Sequence, residues 1–120
     1  MKMNYTELEV WKFSRAFVKQ VYLLSSSFPS EELYALTNQV RRCSVSIPSN
    51  IAEGLGRQSN KETIHFLFIA KGSMYELETQ LFLAFDLNYI SKEELKSIME
   101  QITTCKKLLN GFINYFKSKK

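Results

Sequence analysis

Leu95, Ile98, Ile102, Cys105, Leu109, Phe112 and Phe116 recur at alternating steps of three and four, without a miss, along the last stretch of the chain. That interval keeps side chains on one face of a helix and is the packing rhythm of a left-handed bundle. A stripe of this kind leaves its segment dependent on other helices, because a lone helix cannot cover it. Ser91-x-x-Glu94 just ahead is a capping box, with a serine oxygen for the orphan N–H groups and a glutamate three residues on. A helix over about 92–117 follows.

The same reasoning places three more helices. Val10, Phe13, Phe17, Val21 and Leu24 share one face of a first helix over about 7–26, closed by Ser25–Ser27 and Phe28-Pro29. Ser30 is read as the N-cap of a second helix over about 31–55, with Glu31 and Glu32 in its first turn. Its core stripe is Leu33, Leu36, Val40, Cys43, Ile47 and Ile51. Ser59-x-x-Glu62 is a second capping box and opens a third helix over about 60–88. With 120 residues, only four Gly and two Pro, and no alternating β-branched runs, the chain reads as one all-α domain over 1–120. Short connections make neighbouring helices antiparallel, so the expected architecture is an up-down-up-down four-helix bundle.

One segment breaks the pattern. In Gln39–Arg57 the helical rhythm continues through Pro48, and Gly54 and Gly56 are read as helix terminators. Proline lacks the N–H that would bond the Ser44 carbonyl and crowds that carbonyl, so a structural kink centred on Ser44, Pro48 and Asn50 is expected. The hydroxyls of Ser44, Ser46 and Ser49 and the Asn50 amide are placed to hydrogen-bond freed backbone groups.

The third helix carries more apolar surface than one bundle uses. Ile64, Leu67, Ala70, Met74, Leu77, Leu81 and Ala84 fill the inner stripe, while Phe66, Phe68, Ile69, Tyr75, Phe82, Leu83 and Phe85 widen it. A helix apolar most of the way round is buried on more than one side, which in a four-helix unit calls for another subunit. Phe66, Phe68, Ile69, Gly72, Tyr75 and Phe82 are the candidate oligomer interface, with small residues at Ala70, Gly72 and Ser73 admitting a close neighbour. The alternative is that these aromatics thicken the core under the first helix.

Several chemistries lack their residues. A di-iron bundle needs two inward Glu-x-x-His pairs, and this chain has one, Glu62–His65, with a single histidine in all. No metal and no cofactor is expected, and His65 is placed at the surface. No phosphate-binding loop or catalytic triad is recognisable, so the chain reads as no enzyme. Cys43 and Cys105 lie in no metal or redox spacing and fit a reduced, cytoplasmic setting. No leader opens the sequence and no apolar run approaches a membrane span, so secretion and membrane partners are not expected.

Charge is uneven within a net of +4: residues 91–120 hold seven lysines against three glutamates, whereas 59–90 hold two basic and four acidic groups. On the second helix, Gln39, Arg42, Ser46, Asn50, Glu53 and Arg57 form a polar line, readable either as a solvated face or as a recognition surface.

These residues carry a resemblance. Val40-Arg41-Arg42 with Ser46-Ile47-Pro48-Ser49-Asn50-Ile51-Ala52-Glu53-Gly54 resembles the signature of the 23S rRNA intervening-sequence protein family. Phe66-Leu67-x-Ile69-Ala70-x-Gly72-Ser73 followed by Glu76-Leu77-Glu78-Thr79-Gln80-Leu81 looks like its second block, and Leu8-x-Val10-Trp11 fits its opening. The resemblance covers nearly the whole chain. It implies a bacterial four-helix bundle encoded within intervening sequences of large-subunit rRNA genes, with a ribosomal-protein-like label. A related branch serves as the accessory protein of diversity-generating retroelements, where it binds nucleic acid and a reverse transcriptase. It also implies a homopentameric barrel of bundles.

The expected function is then that of a non-enzymatic, homo-oligomeric nucleic-acid-binding protein that holds RNA or DNA backbone electrostatically. Candidate contacts are Lys12, Arg15 and Lys19 on the first helix, Arg41, Arg42, Arg57 and Lys61 around the second, and Lys106 and Lys107 on the fourth. Lys117, Lys119 and Lys120 complement a helix C-terminus and are the weakest candidates. No aromatic-and-basic platform for single strands stands out, so little sequence specificity is expected. The rival is a protein-interaction scaffold docking a partner enzyme such as a reverse transcriptase.

Overall fold

The computed structural model describes residues 3–119. Four α-helices make up its architecture: α1 (Glu9–Ser25), α2 (Leu36–Leu55), α3 (Asn60–Asp86) and α4 (Lys92–Ser118), with no strand among the described residues. Each helix packs on its chain neighbours and α1 also packs on α4, while the diagonal pairs do not meet. Cross-helix bonds show the directions. Cys43 meets Ser73 and Gln39 meets Gln80 between α2 and α3, and Lys106 meets Glu78 between α4 and α3. As α2 advances from Gln39 through Cys43 to Gly54, its partner on α3 moves back from Gln80 through Ser73 to Thr63, as antiparallel packing requires. The bundle is up-down-up-down, in an envelope of 48 × 25 × 21 Å.

The stripes read from the sequence form its core. Phe17, Ile47, Ile51, Leu67, Met74, Leu77, Leu81, Ile102 and Leu109 are fully buried. Ends are closed by side chains. At the end of α1 the hydroxyls of Ser25, Ser26 and Ser27 donate to the carbonyls of Val21, Leu23 and Leu24, the last two among the final carbonyls of the helix. Ser91 and Glu94 make the full reciprocal capping box at α4. At Ser59 only half of the expected box forms: its oxygen accepts from the Glu62 N–H, while its hydroxyl, rather than its backbone, meets the Glu62 carboxylate. The end of α3 is a Schellman turn, with Tyr89 N–H on the Ala84 carbonyl, Asn88 N–H on that of Phe85, and Asn88 at φ 64°.

The second helix departs from expectation. Ser30 does not cap it: Ser30–Glu32 form a short 3-10 turn, and α2 begins only at Leu36. Glu32 serves the helix from outside, accepting the Leu36 N–H at 3.2 Å and the Tyr89 hydroxyl at 2.7 Å. Leu33, assigned to the core stripe, therefore precedes the helix and stands 47% exposed.

Pro48 lies inside α2, which runs unbroken from Leu36 to Leu55. The Ser44 hydroxyl donates to the Arg41 carbonyl and the Asn50 amide to the Ser46 carbonyl. Among the described residues no side chain donates to the Ser44 carbonyl, the group that Pro48 frees, so these polar residues brace the turns on either side of it. Gly54 is no terminator. It is buried within α2, and a Cβ there would lie 3.0 Å from Phe66 Cβ.

Candidate nucleic-acid interface

On α1, Lys12, Arg15 and Lys19 are exposed and follow one another at steps of three and four, a seam that Tyr22 continues. The Arg41 guanidinium reaches that seam from α2. It lies 4.8 Å from the Tyr22 ring centroid, and its Nε donates to Ser25 Oγ at 2.9 Å. Lys12 has only a loose, exposed contact with Glu9 at 3.9 Å, and Arg15 lies 5.4 Å from the Trp11 ring centroid. Four cations thus line one side of the bundle, and Arg41 is anchored there by the α1 C-terminus.

The polar line of α2 turns the other way, toward α3. Its middle is packed. The Ser46 hydroxyl lies 2.6 Å from both the Cys43 carbonyl and the Ser73 hydroxyl, and Gln80 Nε2 donates to Gln39 Oε1 at 3.4 Å. Gln80 Oε1 is buried with no partner. The Cys43 thiol donates to the Ser73 carbonyl, and burial, reinforced by the Glu76 carboxylate, pushes its pKa up to about 12. Burial does the same for Cys105, so neither thiol is poised as a nucleophile. Exposed Arg42 and Glu76 stand on the rim of this groove, which encloses about 410 Å³. The stripe is therefore neither a wholly solvated face nor a basic patch.

The remaining candidates divide into free and engaged groups. Lys61 and Lys107 are exposed, and among the described residues neither has an ion-pair partner; the same holds for Lys19 and Arg42. Arg57 is engaged with Glu53 at 3.2 Å and lies 4.5 Å from the Phe66 ring centroid. Lys106 is largely buried against Glu78 at 3.0 Å and lies over Tyr75. Lys117 lies over Phe68, Lys119 over Tyr115 and Phe116, and Lys120 lies outside the described residues. The nine proposed contacts accordingly do not form one patch; the α1 seam is the one continuous run.

Of the six interface candidates, Phe68, Ile69, Tyr75 and Phe82 are exposed rather than folded under α1. Gly72 is exposed as well, with open space where a Cβ would stand. Phe66 is different: half-buried, it packs within the chain against Gly54 and Arg57.

The sequence reading missed one grouping. Asn4 caps the 3-10 turn Tyr5–Glu7, which brings Tyr5 edge-on to Trp11 with ring centroids 5.2 Å apart. With Arg15, these make an aromatic and basic cluster at the head of the cation seam. Trp11-x-x-x-Arg15 at i, i+4 was its only visible signal.

The described residues contain no group of three or more His, Cys, Asp or Glu that could hold a metal, and no helix is long and apolar enough to cross a membrane. The fold and its surface define an all-α four-helix bundle with cations on its outer faces. The chain belongs to the 23S rRNA-intervening sequence protein family, whose profile matches residues 6–111. Among solved structures it is similar to a protein of unknown function from the S23 ribosomal protein family of Bacteroides thetaiotaomicron VPI-5482. The two share 30% identity and a TM-score of 0.80, over 88% of this chain and 95% of that one. No curated protein matches the sequence.

Proposed function

We infer that this is a non-enzymatic, cytoplasmic protein that assembles with copies of itself and binds RNA through its exposed cations. The observation that carries the reading is the seam of Lys12, Arg15 and Lys19, extended by Arg41, with a single loose carboxylate contact along it. A line of cations on a rigid helix suits a phosphate backbone, which contributes affinity without reading sequence. The family's description, a protein of 23S rRNA intervening sequences, favours RNA over DNA as the ligand.

Self-assembly is supported by a second seam on α3. Phe68, Gly72, Tyr75, Thr79 and Phe82 are all exposed and step by four, three, four and three, the spacing of a helix packed on another helix. A homopentameric barrel is the assembly we favour, since it would repeat the cation seam around one particle. The scaffold reading draws on a different observation: the polar groove between α2 and α3, with exposed Arg42 and Glu76 on its rim, offers a partner protein both signs of charge. Sedimentation equilibrium, followed by RNA binding with Lys19→Glu, separates the two. Reduced RNA affinity with the oligomer intact supports the RNA reading. Unchanged affinity favours the scaffold.

A further inference from the structure

Between the start of α1 and the middle of α2 lies an apolar hollow of about 340 Å³. Trp11, Tyr5 and Arg15 form one wall; Val45, Pro48 and Ala52 form the other. Tyr5 is 38% exposed and Val45 39% exposed, so the hollow opens to water. Its aromatic pair is fixed, with ring planes at 68° and the Arg15 guanidinium 5.4 Å from the Trp11 ring centroid. Pro48, which disturbs the backbone pattern of α2, contributes a donor-free apolar ring to the opposite wall.

An apolar hollow alone names no ligand, and here the surrounding charge does. Arg15 lines the hollow itself, and the exposed Lys12 and Lys19 flank Arg15 on α1 on the side away from the hollow, with Arg41 further along over Tyr22. The Glu9 carboxylate, the acidic neighbour on this seam, sits 3.9 Å from Lys12 and is exposed, so a phosphate displaces it readily. A flat, apolar group tied to a chain of negative charges is what such a surface fits, and an unpaired nucleotide is that chemistry. Bases within an A-form duplex are stacked on one another and edge-recessed, so a duplex cannot present one to the hollow.

Resting on the RNA-binding reading, we propose that this hollow takes an unpaired base of single-stranded RNA. The base stacks against Tyr5 and Trp11 with the Pro48 and Val45 side chains opposite. The Arg15 guanidinium bridges ring and phosphate, and Lys12 and Lys19 hold the phosphates to either side. The cation seam then acts as a track for one strand rather than as a general basic face.

Trp11 is the single tryptophan of the chain, so its emission reports on this hollow alone. The experiment titrates the full chain with a labelled oligoadenylate, the same strand with abasic positions, and an RNA duplex of equal length. Trp11 emission and label anisotropy are read together. The expected result is quenching by the oligoadenylate only, with tighter binding than either control. Tyr5→Ala should then weaken oligoadenylate binding by about ten- to a hundredfold. Val45→Glu, at an exposed helical position, should abolish the quench while leaving the circular dichroism spectrum unchanged. Salt-sensitive binding of all three RNAs with equal affinity and unchanged Trp11 emission overturns the hollow while leaving the RNA reading standing. No binding of any RNA overturns both.

Discussion

Thr63 donates its hydroxyl to the Gly54 carbonyl at 2.7 Å, both residues buried, where the end of α2 crosses the start of α3. The bond satisfies one of the last carbonyls of α2 and holds the two backbones close. A Cβ at Gly54 would lie 3.0 Å from Phe66 Cβ and 3.1 Å from the Thr63 carbonyl oxygen, and neither is the end of a flexible side chain.

The three helical glycines should accordingly respond differently to alanine. Gly54→Ala gains about 1 kcal/mol of helix propensity but overpacks a rigid contact, so a net loss of about 1–2 kcal/mol is expected. Gly111→Ala meets open space and should stabilise by about 0.5–1 kcal/mol. Gly72→Ala meets open space in one chain too, but sits on the seam assigned to self-assembly. It should gain less than Gly111→Ala and shift sedimentation toward smaller species. Denaturant unfolding and sedimentation velocity check all three.

The Tyr89 hydroxyl donates to Glu32 at 2.7 Å, tying the turn after α3 to the turn before α2. That bond holds the Glu32 carboxyl below its ordinary value of 4.5, helped by the Leu36 N–H, and raises Tyr89 above its ordinary 10.0. A lowered carboxyl pKa stabilises the fold above about 4.5 and loses that contribution as pH falls through the folded value. A raised tyrosine pKa stabilises below about 10, and that contribution is lost as pH rises. The stability difference between the parent chain and Tyr89→Phe should thus be greatest between these limits and shrink beyond either one. Urea unfolding across pH reads it directly.

Adjacent lysines on α4 should separate structure from binding. Lys106 and Glu78 retain only 21% and 19% of their side-chain exposure. Lys106→Met leaves Glu78 poorly compensated and should cost about 1–2 kcal/mol, below the penalty for a fully buried pair because some water remains. Lys107→Glu, at an exposed position, should alter stability by no more than about 0.5 kcal/mol. Thermal unfolding of both variants is the check.

The bundle was legible where local pattern and tertiary need coincide. The α4 stripe and the inner face of α3 are dense enough that only one helical face can be inward. Misreadings arose where a distant residue decides the outcome. Ser30-Glu31-Glu32 is a sound N-cap signal, yet Glu32 is held by Tyr89 from the far side of the chain and α2 starts later. Gly54 has the composition of a helix end, and only the approach of α3 makes it a packing residue. Of the engaged cations, Arg57 has a partner readable in the sequence, Glu53 at i, i+4. That Lys106 is tied to Glu78 follows from two helices brought together by folding. The hollow beside Pro48 was hidden for the same reason, since its Tyr5 wall exists only once the 3-10 turn folds back on Trp11.

The central claim is that a cation seam on α1 binds RNA backbone. Its most direct test is anisotropy of a labelled single-stranded RNA titrated with the purified protein at about 50 and 200 mM salt. The account predicts tight binding at the lower salt and a steep loss at the higher. At the single-strand slope of about 0.7 per phosphate, six to ten engaged phosphates make that loss about 300- to 16,000-fold, and Lys19→Glu should make the slope shallower. Absence of binding at low salt, or affinity indifferent to salt, would contradict it.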